Sequence, residues 1–89
     1  MFLKKFDRFF AIAMRQYRKE KKLSQEKLAE RADLSSQMIA LIERFKRNPS
    51  VNVADRVAQG LGIPFWRLVK DAEMLRLQKE TKKDPRKKG

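Results

Sequence analysis

Most of the charged side chains in this sequence are cations. Of its 89 residues, 23 are Lys or Arg and 11 are Asp or Glu, so the formal net charge is +12 at pH 7. A solvated surface alone rarely needs so large an imbalance. The excess favours an anionic partner, with nucleic acid first and an anionic membrane surface second.

The residue types that are absent argue against catalysis. The chain has no cysteine and no histidine, which removes the thiolate nucleophile, Cys-ligated zinc and the commonest general base. It contains only three glycines and no glycine-rich phosphate loop. We therefore expect a protein that is not an enzyme and that uses no cofactor and no metal. The lack of cysteine is compatible with the cytoplasmic location that we expect.

The apolar N-terminus is too short to be a signal peptide or a membrane span. Its longest uncharged run, Phe9 to Met14, has six residues, whereas a secretory segment needs roughly 7–15 and a membrane span roughly 20. We therefore expect no membrane partner. A basic amphipathic helix lying on a membrane surface through Phe2, Phe6 and Phe9 remains the rival interpretation.

Apolar residues recur at helical spacing along most of the chain, and no stretch alternates for long enough to be a strand. The pattern predicts an all-α domain of five helices over residues 1–78. The expected N-terminal caps are Ser24, Ser35 or Ser36, and Pro49–Ser50. Gly60 and Gly62 are expected to end the fourth helix, and Pro64 to take the first position of the fifth. Residues 79–89 contain no apolar residue, so we expect a basic, disordered tail.

The stretch from Leu23 to Arg44 has the pattern of two short helices joined by a tight turn, a helix-turn-helix. Such a unit needs a small residue where the helices cross and an apolar residue in the turn, and Ala29 and Leu34 meet these needs. Ile39 and Ile42 can hold the second helix to the core. Its outer face is then free to enter a major groove.

The same stretch resembles the Cro and phage-repressor type of helix-turn-helix protein, the XRE family. The shared pattern L-S-Q-x-x-L-A-x-x-A-x-L-S, then I-x-x-I-E-R, N-P-S and A-x-x-L-G-I, runs through residues 23–63. With the flanking helices the resemblance covers roughly residues 10–75. It implies a five-helix, lambda-repressor-like DNA-binding domain, with extended first and last helices and the helix-turn-helix at about residues 24–44.

The resemblance also implies a role for individual positions. The implied base contacts are Ser36, Gln37, Ala40 and Leu41. The implied contacts to the DNA backbone are Ser24, Gln25, Lys46, Arg47 and Asn48. An amide such as that of Gln37 can pair with adenine, and Ala40 or Leu41 can touch a thymine methyl group. Arg18 and Glu43 match a family salt bridge between the first and third helices. A merely solvated surface is the plainer interpretation of the polar positions.

Two positions depart from the family pattern, which has glycine at both. Asp33 stands in the turn, where aspartate tolerates a left-handed conformation better than most residues. Phe45 stands after the second helix of the helix-turn-helix, the recognition helix. A bulky aromatic residue at positive φ is strained. We therefore expect either a longer recognition helix or another route for the loop, which would move Lys46 and Arg47.

Apolar residues outside the motif predict a dimer interface. The expected interface residues are Phe2, Phe6, Phe9, Phe65, Trp66 and Leu75. The simpler alternative is that the first and last helices pack together within one chain. A single recognition helix reads only a few base pairs, whereas a dimer reads two half-sites about one helical turn apart, so we favour the homodimer.

The sequence thus predicts a transcriptional regulator that binds double-stranded DNA specifically, as a homodimer on an inverted-repeat operator. The run Arg47–Ser50 also resembles the restriction–modification controller subgroup of the family. The alternative function is that of an antitoxin-type interaction module, which binds a toxin and its own promoter.

Overall fold

Residues 2–83, whose backbone the computed structural model describes, form five α-helices and no strand. Side chains are described for residues 6–79. The helices are α1 (Phe2–Glu20), α2 (Gln25–Ala32), α3 (Ser36–Glu43), α4 (Val51–Leu61) and α5 (Phe65–Lys83). The all-α, five-helix prediction is confirmed. None of these helices is apolar enough over a sufficient length to cross a lipid bilayer.

Serine side chains cap the N-termini of α2, α3 and α4. The hydroxyl oxygens of Ser24, Ser35 and Ser50 each accept a hydrogen bond from the backbone N–H three residues later, at 2.9–3.1 Å. Each cap satisfies one of the amides that a helix N-terminus leaves without an intrahelical partner. Of the two candidates for the third helix, Ser35 is the cap and Ser36 is the first helical residue.

Left-handed residues follow the first four helices. Lys22, Asp33, Phe45 and Gly62 have φ values of 57°, 59°, 62° and 77°. After each helix the chain donates two backbone hydrogen bonds back into the last turn, the pattern of a Schellman motif. Asp33 thus adopts the conformation expected of it. Three of these four positions carry a side chain where glycine would be unstrained.

Replacing Lys22 by glycine is expected to raise the free energy of unfolding by about 0.5–1 kcal/mol. A left-handed conformation costs an L-residue about 1–2 kcal/mol, and the greater freedom of glycine in the unfolded chain offsets part of that gain. Urea unfolding followed by circular dichroism measures the difference. Lys21→Gly is the matched control and should be destabilising, because Lys21 has no positive φ. Equal effects at both positions would contradict the strain at Lys22.

The core lies where all five helices meet. Its largest fully buried side chains are Phe10, Met14, Leu28, Ile39, Ile42, Val57, Leu61 and Leu68. Burying a side chain of this size contributes about 1.5–3 kcal/mol. The predictions for Gly60 and Pro64 were wrong in detail. Gly60 lies inside α4, where a Cβ would come within 3.0 Å of Ala32, and Pro64 precedes α5, whose first residue is Phe65.

The long outer helices α1 and α5 pack against each other along their length. The Tyr17 hydroxyl donates a hydrogen bond to the Asp71 carboxylate across this contact, and that bond raises the pKa of Tyr17. The backbone of α5 continues to Lys83, so the segment expected to be a disordered tail from residue 79 begins inside this helix. Residues 84–89 lie outside the described part of the chain.

Candidate nucleic-acid interface

The turn between α2 and α3 sets the direction of α3. The Leu34 N–H donates to the Ala29 carbonyl oxygen at 2.9 Å, and Ala29 is buried where the two helices cross. Ile39 and Ile42 hold the inner face of α3 in the core and are almost fully buried. The opposite face of α3 is therefore the one turned away from the domain.

The four residues predicted to contact bases share a single face of α3. Ser36 and Gln37 are exposed in its first turn, and Ala40 and Leu41 are half-buried one turn later. Residues four apart are neighbours on a helix surface, so each polar side chain lies beside one of the apolar ones. This surface combines an amide, a hydroxyl and aliphatic groups, which are the groups that can read base edges.

A buried ion pair joins α1 to α3. Arg18 Nε lies 2.7 Å from Glu43 Oε2, and Arg18 Nη2 lies 2.9 Å from Glu43 Oε1, which makes the pair bidentate. Arg18 Nη1 also donates to the carbonyl oxygen of Leu23 at 2.8 Å. Bidentate pairing fixes geometry as well as energy. The C-terminal end of α3 is thereby held to α1 and to the residues that precede α2.

Gln25 extends this network to the start of α2. Its Nε2 donates to Glu43 Oε1 at 3.0 Å, so the side chain links the beginning of α2 to the end of α3. This contact can brace α3, beside the DNA-backbone contact that the resemblance implies for Gln25. Ser24 uses a hydroxyl lone pair as a cap, which leaves its O–H proton able to donate to a phosphate oxygen.

The segment between α3 and α4 is strongly cationic. Arg44, Lys46, Arg47 and Asn48 are all exposed, and residues 44–50 include no carboxylate. The nearest acidic residue along the chain is Glu43, whose charge is already paired inside the domain. The segment therefore exposes three cations and no acidic side chain of its own directly after α3, a composition suited to phosphate binding.

The expectation for Phe45 was wrong. Helix α3 ends at Glu43, and Phe45 takes the left-handed conformation that glycine would take. Its N–H donates to the Ile42 carbonyl oxygen at 3.0 Å, and the Lys46 N–H donates to that of Leu41 at 2.8 Å. These two bonds satisfy two carbonyl groups in the last turn of α3 and hold the strained residue in place.

The sequence reasoning missed three cations of α1 that lie near this segment. The guanidinium carbon of Arg8 lies 4.7 Å from the centroid of the Phe45 ring. Arg15 and Lys19 are exposed and line a surface cavity of about 300 Å³ together with Phe45. The four-residue spacing of Arg15 and Lys19 is a signal for a shared helix face, but no local pattern links Arg8 to Phe45.

The predicted dimer residues divide into two groups. Phe6, Phe9, Phe65 and Leu75 are half-buried against the core of their own chain, and Trp66 is 62% exposed. Two further apolar residues on α5, Met74 and Leu77, are also exposed. Met74 lies eight residues and Leu77 eleven residues after Trp66, so the three lie on one side of α5, in a stripe interrupted by the exposed Lys70. The side chain of Phe2 lies outside the described residues.

Comparison with known sequences identifies the helix-turn-helix segment. The sequence profile described as helix-turn-helix matches residues 14–65. An immunity repressor protein of Bacillus phage phi105 is 42% identical over 59 residues, which cover 66% of this chain and 41% of the repressor. The matched segment is thus less than half the length of that relative.

Comparison with solved structures supports the fold. The clp gene regulator ClgR from Corynebacterium glutamicum matches with a TM-score of 0.81 at 20% identity, over 89% of this chain and 84% of that chain. At this identity the likeness shows the fold alone. A variant of the restriction-modification controller protein C.Esp1396I matches with a TM-score of 0.70 at 26% identity, over 79% and 91% of the two chains.

Proposed function

The chain belongs to the XRE-type helix-turn-helix family, and from this membership we propose that it is a cytoplasmic transcriptional regulator that binds a specific sequence of double-stranded DNA. Its five helices have the lambda-repressor-like arrangement that the resemblance implies. The observation that carries the proposal is the outer face of α3. There Ser36 and Gln37 are exposed on a helix that the buried Arg18–Glu43 pair holds in place.

We propose that α3 reads bases from the major groove. The Gln37 amide pairs with the N6 and N7 positions of an adenine, and Ala40 and Leu41 contact a thymine methyl group. Ser36 donates to, or accepts from, a neighbouring base edge. An α-helix fits the width of the major groove, and its N-terminal residues come closest to the bases.

Residues on both sides of α3 position the domain on the phosphate backbone. On one side the Ser24 hydroxyl and the Gln25 amide face one DNA strand. On the other side Lys46, Arg47 and Asn48 contact phosphates beyond the end of α3. Contacts of this kind fix register and supply affinity at low salt, and they carry no sequence information directly.

A homodimer gives the protein a site long enough to be specific. We propose that the stripe of Trp66, Met74 and Leu77 on α5 is the centre of the contact, because these three side chains are exposed. Phe6, Phe9, Phe65 and Leu75 are half-buried against the core of their own chain and therefore offer less surface to a partner. A two-fold dimer presents two copies of α3, so its operator is an inverted repeat.

Selection of bound fragments from a pool of random duplex DNA tests this function. We expect enrichment of an inverted repeat whose half-sites are centred about one helical turn, roughly 34–36 Å, apart. A pool carried through the same steps without protein is the control. Failure to enrich any sequence would contradict specific recognition, and enrichment of a single unrepeated half-site would contradict the dimer.

A further inference from the structure

The ring of Phe45 is held in an unusual position for an aromatic residue. It follows α3 directly, in a left-handed conformation with φ 62°, and the residue is 47% exposed. The ring and the α1 residues Ala11 and Ile12 border the same surface cavity of about 300 Å³. Because this space is open, the ring is not enclosed by the core on that side.

The guanidinium of Arg8 lies over this ring. Its central carbon is 4.7 Å from the ring centroid, within the range of a cation–π contact. A planar guanidinium stacks on an aromatic face in a way that an ammonium cannot reproduce. Arg8 belongs to α1 and Phe45 to the segment after α3, so the stack links two elements that are far apart in the chain.

We propose that Arg8 is a positioning residue for DNA binding, which acts through Phe45. The stack holds the left-handed residue in place and keeps the Lys46 N–H bonded to the Leu41 carbonyl oxygen. Lys46 and Arg47 then follow α3 in a fixed conformation before DNA binds. Binding to the phosphate backbone therefore costs less conformational entropy. This inference rests on the proposed function, since it concerns the segment that binds phosphate there.

A double-mutant cycle tests the proposal. Arg8→Met and Phe45→Gly, alone and together, are compared with the wild type for affinity to a fluorescent 30-base-pair duplex of random sequence. Arg8→Met is expected to weaken binding by about two- to fivefold when Phe45 is present, the equivalent of one exposed cation–π contact. In the Phe45→Gly background the same change should cause only the small loss of affinity that removing one remote positive charge causes, because the partner of Arg8 is gone.

Two controls separate positioning from direct phosphate binding. Lys79→Met removes an exposed cation of α5 on the side of the helix away from Trp66, Met74 and Leu77, and it should weaken binding less than Arg8→Met does. If Arg8 itself contacted phosphate, Arg8→Met would weaken binding equally in both backgrounds. It would also reduce the slope of log affinity against log salt concentration by about one. That result would overturn the proposal, as would an Arg8→Met variant that binds like the wild type.

A readout without DNA keeps the inference separate from the proposed function. Hydrogen exchange of the Lys46 amide, measured by NMR, should accelerate by about two- to fivefold in Arg8→Met, because the stack no longer opposes opening of the bond to Leu41. The Leu34 amide, which makes the equivalent bond to Ala29 after α2, should be unchanged. If the wild type failed to bind duplex DNA, the proposed function would fail. Unchanged exchange at Lys46 would overturn the role of Arg8.

Discussion

Replacing Arg18 by methionine is expected to lower the free energy of unfolding by about 3–5 kcal/mol, the cost of breaking a buried ion pair by removing one partner. The Glu43 carboxylate would remain inside the domain, where its side chain is 3% exposed, without its opposite charge. The Leu23 carbonyl oxygen would also lose its donor. A chain of this length typically has an unfolding free energy of roughly 5–13 kcal/mol, so this loss is a large fraction of the total stability.

Urea unfolding followed by circular dichroism measures this loss. A second variant, Arg18→Met with Glu43→Leu, should recover most of the stability, because replacing a whole buried pair by apolar residues is often neutral. The exposed pair of Lys27 and Glu30, 3.4 Å apart, provides the matched control. Lys27→Met should cost less than about 0.5 kcal/mol. A similar small loss for Arg18→Met would contradict the structural role of the pair.

The features that the sequence predicts well depend on neighbouring residues. Ser24 and Ser50 cap their helices because a serine at this position can reach the amide three residues later, whatever the rest of the fold. The left-handed conformation of Asp33 follows in the same way from the turn between two short helices. The spacing of Ala29, Leu34 and Ile39 also predicts the crossing of α2 and α3, since Ala29 is small enough for close approach, and Leu34 and Ile39 pack against the core.

The features that the sequence does not predict depend on contacts between distant parts of the chain. The penalty for Phe45 at positive φ is local, but the residue that stacks on its ring is 37 positions earlier, at Arg8. The packing of α1 on α5 decides which apolar residues stay exposed. Sequence spacing therefore does not separate the half-buried Phe6 and Phe65 from the exposed Trp66.

The length of α5 shows a similar limit. Residues after 78 have no apolar side chain, which favours disorder on composition. Lys and Glu are nonetheless good helix formers, and they follow a helix that is already anchored by Leu68 and Ala72 in the core. Adding residues to an existing helix avoids the cost of nucleation, so the backbone of α5 continues to Lys83.

Gln37→Ala is the second large expected effect, since Gln37 is the exposed amide on the outer face of α3. At the site recovered by selection, the change should weaken binding by about 1–3 kcal/mol, the discrimination that one bidentate pair with a base supplies. On a random duplex it should change affinity little, because binding there depends on phosphate contacts. Gln59→Ala, which alters an exposed glutamine of α4 bonded to Asp55, is the matched control and should affect neither duplex.

The ratio of the affinity for the selected site to the affinity for the random duplex tests most directly the claim that α3 reads DNA sequence. Fluorescence anisotropy titrations at one salt concentration measure this ratio for the wild type and for Gln37→Ala. We predict that the preference of the wild type for the selected site falls by about five- to 150-fold in the variant. Equal losses on both duplexes, or no loss on either, would contradict the claim.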